Sequence, residues 1–162
     1  MTNGKPIIHQ LRGDRRRGQA MIEFALSFIL FISVVLGFGQ LALSLWIKTT
    51  LHHSVREGTR YAITGQTKTG QGHDASIRSV VVERSAGLIN AADAESLISI
   101  AYYDNNGDPT LLNQGGNTIV LSVADYPIPW LVPLPLSAVG DGLDISVSSV
   151  DRLEPFPYPP LR

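Results

Sequence analysis

The sequence predicts an α+β protein: a long N-terminal transmembrane helix extends out of the bilayer, and a small domain with one helix and a short antiparallel sheet follows it. A run of 24 uncharged residues predicts the membrane segment. Helical periodicity continues past this run, and short strands follow a second helical segment, an order that favours α+β over a parallel sheet. We divide the chain into a basic cytoplasmic leader (residues 1–18), the helix and its extracytoplasmic extension (19–63), and an extracytoplasmic domain with proline-rich loops and tail (64–162).

Positive charge is concentrated at the N-terminus. Residues 1–17 contain five Lys or Arg residues and one acidic residue, Asp14, whereas the whole chain has a net charge of −1. Short loops rich in Lys and Arg stay on the cytoplasmic side of a membrane, so the rest of the chain should be translocated. A basic tail that binds nucleic acid is the alternative. Because the basic run adjoins a long apolar segment, we expect no nucleic-acid partner.

The uncharged run extends from Phe24 to Ile47, and we expect the membrane helix to start at Glu23. Its length suits a bilayer core, which needs about 20 helical residues. A cleaved secretory signal would have a shorter apolar region, of about 7 to 15 residues, and would end at small residues. This run ends instead at Trp46 and Lys48, an aromatic residue and a cation that are typical of an interfacial anchor.

Residues 48–63 continue the helical pattern beyond the membrane segment. One stripe is apolar or small and another is polar, which predicts a helix that continues into water. Glu57 and Arg60 are three positions apart and could pair locally. A glycine on the apolar stripe indicates close approach of another element, or else the end of the helix. The apolar stripe contains Leu51, Val55, Gly58 and Ala62, and the polar stripe contains Lys48, His52 and Arg56.

The exported domain begins with a polar connector, residues 64–73, after which Asp74 could cap a second helix that continues to Ile89. Three strands are predicted at residues 97–103, 118–124 and 143–150. The last strand alternates, which places three apolar side chains inward and three polar side chains outward. The inward set is Leu143, Ile145 and Val147, and the outward set is Asp144, Ser146 and Ser148.

Two proline-rich stretches, residues 126–136 and 156–160, are predicted to be extended surface segments, because proline cannot donate to a sheet ladder. Exposed Trp130 and the neighbouring leucines would mark a contact with a partner or with the membrane surface. A loop folded over its own sheet is the alternative.

The sequence shows no pattern of catalytic, metal-binding or cofactor-binding residues. Residues 104–108 look like part of a calcium loop but lack the length and final glutamate of that motif, and Asn-Gly is also a turn signal. His52 and His53 are adjacent and would point about 100° apart on a helix, which makes them poor joint ligands. Cysteine is absent. We therefore expect no enzyme activity, no cofactor and no metal.

The end of the leader reads Arg-Arg-Arg-Gly-Gln-Ala-Met-Ile-Glu-Phe over residues 15–24. A basic leader that ends in glycine, with glutamate five residues later at the head of an apolar helix, resembles the type IV prepilin signature. Glu23 and Phe24 are similar to the Glu-Tyr pair of the type IVb branch, the Flp or tight-adherence pili, with Phe24 lacking the tyrosine hydroxyl.

A second motif lies beyond the membrane segment, where residues 55–62 read Val-Arg-Glu-Gly-Thr-Arg-Tyr-Ala. Four of these residues, Arg56, Glu57, Gly58 and Arg60, resemble the Ala-Arg-Glu-Gly-Ala-Arg motif of TadE-like proteins, the pseudopilins of the same system. The major Flp pilins are little more than leader and helix. The additional domain therefore resembles a pseudopilin rather than a major pilin.

The resemblance implies that a prepilin peptidase cuts between Gly18 and Gln19 and leaves the helix in the bacterial inner membrane. It also implies that Glu23, with Phe24 beside it, acts in assembly by pairing with the free amine of a neighbouring subunit. Alternatively, Glu23 only complements the helix macrodipole at the membrane interface.

Two functions remain open from the sequence. The first is a TadE-like pseudopilin, a structural component or assembly factor of a tight-adherence pilus or related secretion system, with other pilin or pseudopilin subunits as partners. Its N-terminus would be cytoplasmic and its C-terminus periplasmic. The second is an unprocessed, single-pass membrane protein whose exported domain binds a ligand.

Overall fold

The computed structural model of the chain describes residues 8–131, 142–156 and 159–162. It confirms an α+β fold with an antiparallel sheet in the strand order β2-β1-β3-β4. The chain divides into two compact units, residues 1–41 and 42–162. In chain order, the elements are α1 (Ile8–Ile63), α2 (His73–Arg84), α3 (Ala94–Leu97), β1 (Ile98–Tyr103), β2 (Pro109–Thr110), β3 (Thr118–Pro129) and β4 (Gly142–Arg152).

In the first unit, α1 exposes its apolar side chains. Every residue from Gly18 to Gly39 is exposed, with Phe24 70% and Leu30 69% accessible. An uninterrupted apolar surface of this kind is unfavourable in water and favourable in lipid. Residues Gly18–Ile63 form a helix that is long and apolar enough to cross a membrane, with a mean hydropathy of 2.4 in its most apolar window.

The helix begins earlier than the sequence predicted. We expected a membrane helix starting at Glu23, whereas α1 is already helical at Ile8 and continues through Gly18. No proline follows Pro6 until the exported domain. A single glycine costs a helix only about 1 kcal/mol relative to alanine. The leader junction therefore lies inside a continuous helix.

In the second unit, the same helix becomes part of a hydrophobic core. Leu51, Val55 and Ala62 are fully buried, in a cluster with α2 and with the central strand β3. The apolar stripe predicted for residues 48–63 is therefore the face of α1 that packs on the domain. A helix that exposes every face in one unit and buries one face in the other fits an apolar environment followed by an aqueous one.

Gly58 lies where α1 comes closest to the rest of the domain. A Cβ atom at this position would stand 2.5 Å from Cγ2 of Val81 in α2 and 2.8 Å from Cδ2 of Leu121 in β3. The predicted close approach is confirmed, and the alternative of a helix end at Gly58 is wrong.

The C-terminus of α1 at Ile63 matches the prediction. Gly65 follows in the left-handed conformation, with φ of 64°, which is a common way to stop a helix. Its N–H group donates to the carbonyl of Ala62 at 3.1 Å, and the N–H group of Glu154 donates to the carbonyl of Ile63 at 3.2 Å. The segment after β4 therefore satisfies a carbonyl at the end of the helix.

Several boundaries in the exported domain differ from the prediction. Gly72, not Asp74, is the N-cap of α2, and the helix ends at Arg84 rather than at Ile89. It stops because Ala86 and Gly87 adopt positive φ angles of 54° and 82°. The short α3 and the two-residue β2 were not predicted.

Part of the first proline-rich stretch belongs to the sheet, so the prediction of a loop there is wrong up to Pro129. Strand β3 continues to Pro129, and Pro127 pairs with Asp144 of β4. Strand β1 pairs with β3 only up to Val123. Beyond that residue β3 has a described neighbour on one side only, which allows the proline nitrogens to face away from the ladder.

Trp130 is half-buried rather than exposed, and residues 132–141 of this stretch lie outside the described residues. Phe156 is also half-buried, while residues 157 and 158 of the second stretch are not described.

Strand β4 shows the predicted alternation except at one end. Val147 is buried, Ile145 is half-buried, and the three polar positions of the outward set are exposed. Leu143 was predicted to point inward but is 40% exposed.

We predict that Gly58→Val destabilises the exported domain by about 2 kcal/mol, since the added methyl groups have no room between Val81 and Leu121. The measurement is denaturant unfolding of the full chain in detergent micelles, followed by near-ultraviolet circular dichroism. Gly37→Val is the matched control, because a Cβ at Gly37 meets nothing within 4 Å. Equal unfolding midpoints for the two variants would contradict the packing role of Gly58.

Candidate functional site

The predicted processing and assembly residues lie together on the exposed part of α1. Gly18, Gln19, Glu23 and Phe24 are all exposed. The side-chain amide of Gln19 donates to Oε1 of Glu23 at 3.1 Å, one helical turn away. Phe24 stacks on Phe28 with ring centroids 6.0 Å apart. Gln19 and Glu23 therefore share one face of the helix, and the carboxylate has a local hydrogen-bond donor within its own chain.

The second motif divides into one buried residue and three that reach solvent. Gly58 is the packing residue described above. Arg56 and Arg60 are exposed and Glu57 is half-buried. Among the described residues, these three side chains form no hydrogen bond or ion pair, so the local Glu57–Arg60 pair expected from the sequence is not formed. The glycine of the motif therefore packs in the core, whereas its three charged side chains have no partner among the described residues.

These charged residues line an open cleft of about 570 Å³ between α1 and β4. The α1 wall is formed by residues between Thr49 and Ile63, and the β4 wall includes Ser149 and Asp151. A second cleft, of about 410 Å³, lies between α1 and α2, and Glu57 and Arg60 line both clefts. The exposed face of α1 is thus a charged ridge with a concave surface on each side.

His52 and His53 also line the larger cleft, so they do lie near the motif. Among the described residues, no group of three or more His, Cys, Asp or Glu side chains is placed to hold a metal ion. Residues 104–108 form a turn in which Oδ1 of Asp104 accepts hydrogen bonds from the backbone of Asn106 and Asp108, at 2.8 and 2.9 Å. These hydrogen bonds lower the pKa of the Asp104 carboxyl, the one from Asp108 most strongly.

A buried polar cluster that sequence reasoning missed lies at the start of α2. Tyr102 in β1 donates its hydroxyl to Oδ1 of Asp74 at 2.7 Å, and Oδ2 of Asp74 pairs with Arg162 at 2.7 Å. Arg162 also lies over the Tyr102 ring, 5.0 Å from its centroid. Asp74, which we expected to cap α2, instead joins the sheet to the last described segment of the chain.

His73 occupies the centre of this cluster and is fully buried. Its Nδ1 atom lies 3.2 Å from the side-chain amide of Asn113, while Nε2 has no hydrogen-bond partner. Burial lowers the pKa of His73 below its usual 6.5, although the Asp74 carboxylate and the nearby Ala62 carbonyl act in the opposite direction. Burial of the ring therefore favours its neutral form in the folded chain.

The last described segment takes the place of a side-chain cap at the start of α2. The N–H group of His73 donates to the carbonyl of Leu161 at 2.6 Å, and the Asn113 side chain donates to the carbonyl of Pro160 at 2.9 Å. The sequence predicted a polar connector over residues 64–73 and a cap at Asp74, and it carried no signal for contacts with the last residues of the chain.

The structure thus defines a class of protein, an α+β protein with a long apolar N-terminal helix whose C-terminal part belongs to the core of the domain that follows it. Residues 18–60 match the model of the family described as TadE-like protein. The resemblance found in the sequence is confirmed over this segment, and the match supports a pilus-related protein of the tight-adherence system. No curated protein and no solved structure matches the chain significantly.

We predict that the domain loses stability as the pH falls below about 6.5, the unfolded-state pKa of histidine. The unfolded chain then binds a proton at His73 more readily than the folded chain does, because burial lowers the folded-state pKa. The measurement is the unfolding midpoint of the full chain in micelles at pH 7.5 and 5.5. In His73→Gln the difference between the two midpoints should be smaller than in the unmodified chain.

His52→Gln is the control for this experiment, because His52 is exposed and should leave the pH dependence unchanged. If His73→Gln and the unmodified chain lost the same stability between the two pH values, the buried neutral histidine would not be the cause.

Proposed function

We propose that the protein is a TadE-like pseudopilin of a tight-adherence pilus, inserted in the inner membrane with its domain on the periplasmic side. The observation that carries this proposal is the first part of α1, an exposed apolar helix. The segment that matches the family begins at residue 18, and Glu23 is its one acidic residue before Glu57. A carboxylate at the edge of a hydrocarbon region is costly unless it is paired or near water. Pairing within an assembly removes that cost.

Processing would supply the partner that Glu23 needs. Cleavage between Gly18 and Gln19 by a prepilin peptidase would create a free α-amine on Gln19, one helical turn from Glu23 on the same face. In the uncleaved chain, only the Gln19 amide reaches the carboxylate, which is a neutral hydrogen bond. The new cation could pair with Glu23 of a neighbouring pilin or pseudopilin subunit at a similar depth.

The orientation follows from the distribution of charge. The five basic residues before Gly18 would remain in the cytoplasm, where the peptidase acts on the junction, and the more acidic remainder would be exported. The role is structural: we propose that the protein joins or primes a filament and catalyses no reaction.

The second candidate, an unprocessed anchored binding protein, is favoured by one observation. The junction lies inside a continuous helix, whereas a peptidase normally requires its substrate backbone to be accessible. Glycine lowers the cost of local unwinding, since it is the weakest helix former after proline. The state of the N-terminus therefore separates the two candidates.

We predict that the chain purified from membranes of a cell with an active prepilin peptidase begins at Gln19, as measured by intact mass. Gly18→Val should retain the leader, since the side chain would obstruct approach of the peptidase to the backbone. Gly37→Val, the same change elsewhere in the helix, should still be processed. An intact leader on the unmodified chain would rule out the pseudopilin and favour the anchored binding protein.

We predict that Glu23→Ala leaves membrane insertion intact but reduces assembly by about tenfold, because loss of one partly buried charge pair costs on the order of 1 to 2 kcal/mol. The measurement is the fraction of the chain in sheared pilus or co-purified pilin complexes relative to the membrane fraction. Ser27→Ala, one helical turn further on, is the control and should assemble normally. Normal assembly of Glu23→Ala would show that the carboxylate only sits at the membrane interface.

A further inference from the structure

Four basic or histidine side chains form a line along the exposed face of α1. Lys48, His52, Arg56 and Arg60 are each four positions apart, and all are exposed. We call them the basic stripe. Residues four apart on a helix are neighbours, and like charges at this spacing destabilise a helix by a few tenths of a kcal/mol. Among the described residues, none of the four side chains forms an ion pair.

Three residues of the stripe, His52, Arg56 and Arg60, line the cleft of about 570 Å³. Arg56 and Arg60 are close enough on the helix surface for one carboxylate to contact both guanidinium groups. Glu57 and, on the β4 wall, Asp151 also line the cleft, so its lining carries both signs of charge. A protein surface that presents carboxylates together with hydrogen-bond donors matches this mixed lining.

A complementary surface exists on the same domain. Asp125 and Asp144 are exposed, and we call them the acidic patch. Asp125 is in the bulge where β3 gains one residue relative to β4, and its N–H group donates to Oγ of Ser146 at 3.0 Å. Asp144 is two positions from Ser146 on the same side of β4. Among the described residues, neither carboxylate forms an ion pair.

One chain cannot bring its own stripe and patch together. Asp144 belongs to the acidic patch, and Asp151 lines the cleft that holds the stripe. The two residues are seven positions apart on β4, so the patch and the cleft are separated by about 23 Å along the strand. The rest of the exported domain adds to the complementarity, because residues 64–162 contain five basic and eleven acidic residues. A second copy could therefore supply the carboxylates that the basic stripe of the first copy lacks.

We propose that the basic stripe of one copy docks on the acidic patch of a second copy, head to tail. Because the two surfaces differ, the contact is heterologous and leaves a free stripe at one end and a free patch at the other, so it can propagate along a row of subunits. This contact is separate from processing and from the pairing of Glu23. It rests on the proposed function in one respect, which is that two copies lie in the same membrane.

The absence of cysteine allows a direct test in membranes. Two full-length chains with different tags are co-expressed, one carrying His53→Cys beside the stripe and the other Ala124→Cys beside the patch. Both positions are exposed. A flexible bis-maleimide should link the two chains into a dimer. The dimer should be absent when Thr69→Cys, an exposed position outside both surfaces, replaces Ala124→Cys.

Charge reversal identifies the contact. Arg56→Glu with Arg60→Glu in the His53→Cys chain should lower the dimer yield by about tenfold, since like charges then face each other. Adding Asp144→Lys to the Ala124→Cys chain should recover most of the yield. Arg84→Glu, an exposed change outside the cleft, is the matched control and should have no effect.

Three outcomes would overturn the docking proposal: no dimer, a dimer between two chains that both carry His53→Cys, or linkage of the stripe to another protein alone. The N-terminal mass of the same sample keeps the two proposals distinct. A processed chain without dimer rejects the docking alone, whereas a dimer with an intact leader rejects the processing alone.

Discussion

The close packing of α1 on the domain at Gly58 is the constraint on which the exported unit depends. With no side chain at this position, Val81 of α2 and Leu121 of β3 reach the helix backbone. Val55 and Leu51, one and two turns earlier, are then fully buried. The domain has no disulfide to stabilise it, so this helix serves as a wall of its core.

The same packing determines which charged groups remain available. Since Gly58 and Val55 face inward, Arg56 and Arg60 must face outward, and they gain no partner from the described part of the domain. The family segment ends at Arg60, so it includes both a residue required by the fold and charged residues that the fold does not use. Exposed arginines are often only solvated. Here their line along one helix, in a cleft, gives them a shape that a partner can recognise.

The end of the chain has a structural role that its composition obscures. The described residues after β4 satisfy a backbone group at the end of α1, through Glu154, and one at the start of α2, through Leu161. Arg162 then joins Asp74, and the tail is held against Tyr102 and buried His73. Burial of His73 links the stability of the domain to pH, because it lowers the pKa of the ring and so disfavours its charged form in the folded chain.

Much of the architecture could be predicted from local patterns. The length and uniform apolarity of residues 24–47 require lipid or a large core. The alternating four- and three-residue spacing of Leu51, Val55, Gly58 and Ala62 indicates a buried helical face. The end of α1 at Ile63 and two of the strands followed from the same kind of signal. Each of these features depends on residues that are neighbours in the sequence, so the local pattern of apolar and polar residues is sufficient to predict it.

The remaining features depend on residues far apart in the chain. Sequence could not show that Asp74 bonds Tyr102 and Arg162 instead of capping α2. The carbonyl of Leu161 accepts the hydrogen bond from the first N–H group of that helix, and this residue is 88 positions away in the chain. Nor could it show that Pro127 lies in a strand, since proline is tolerated only where one edge of the ladder is free. The sequence alone determined the long apolar helix and the family motif. Only the tertiary structure decided that the glycine of that motif is a packing residue while its arginines line a cleft, because burial depends on which surfaces meet.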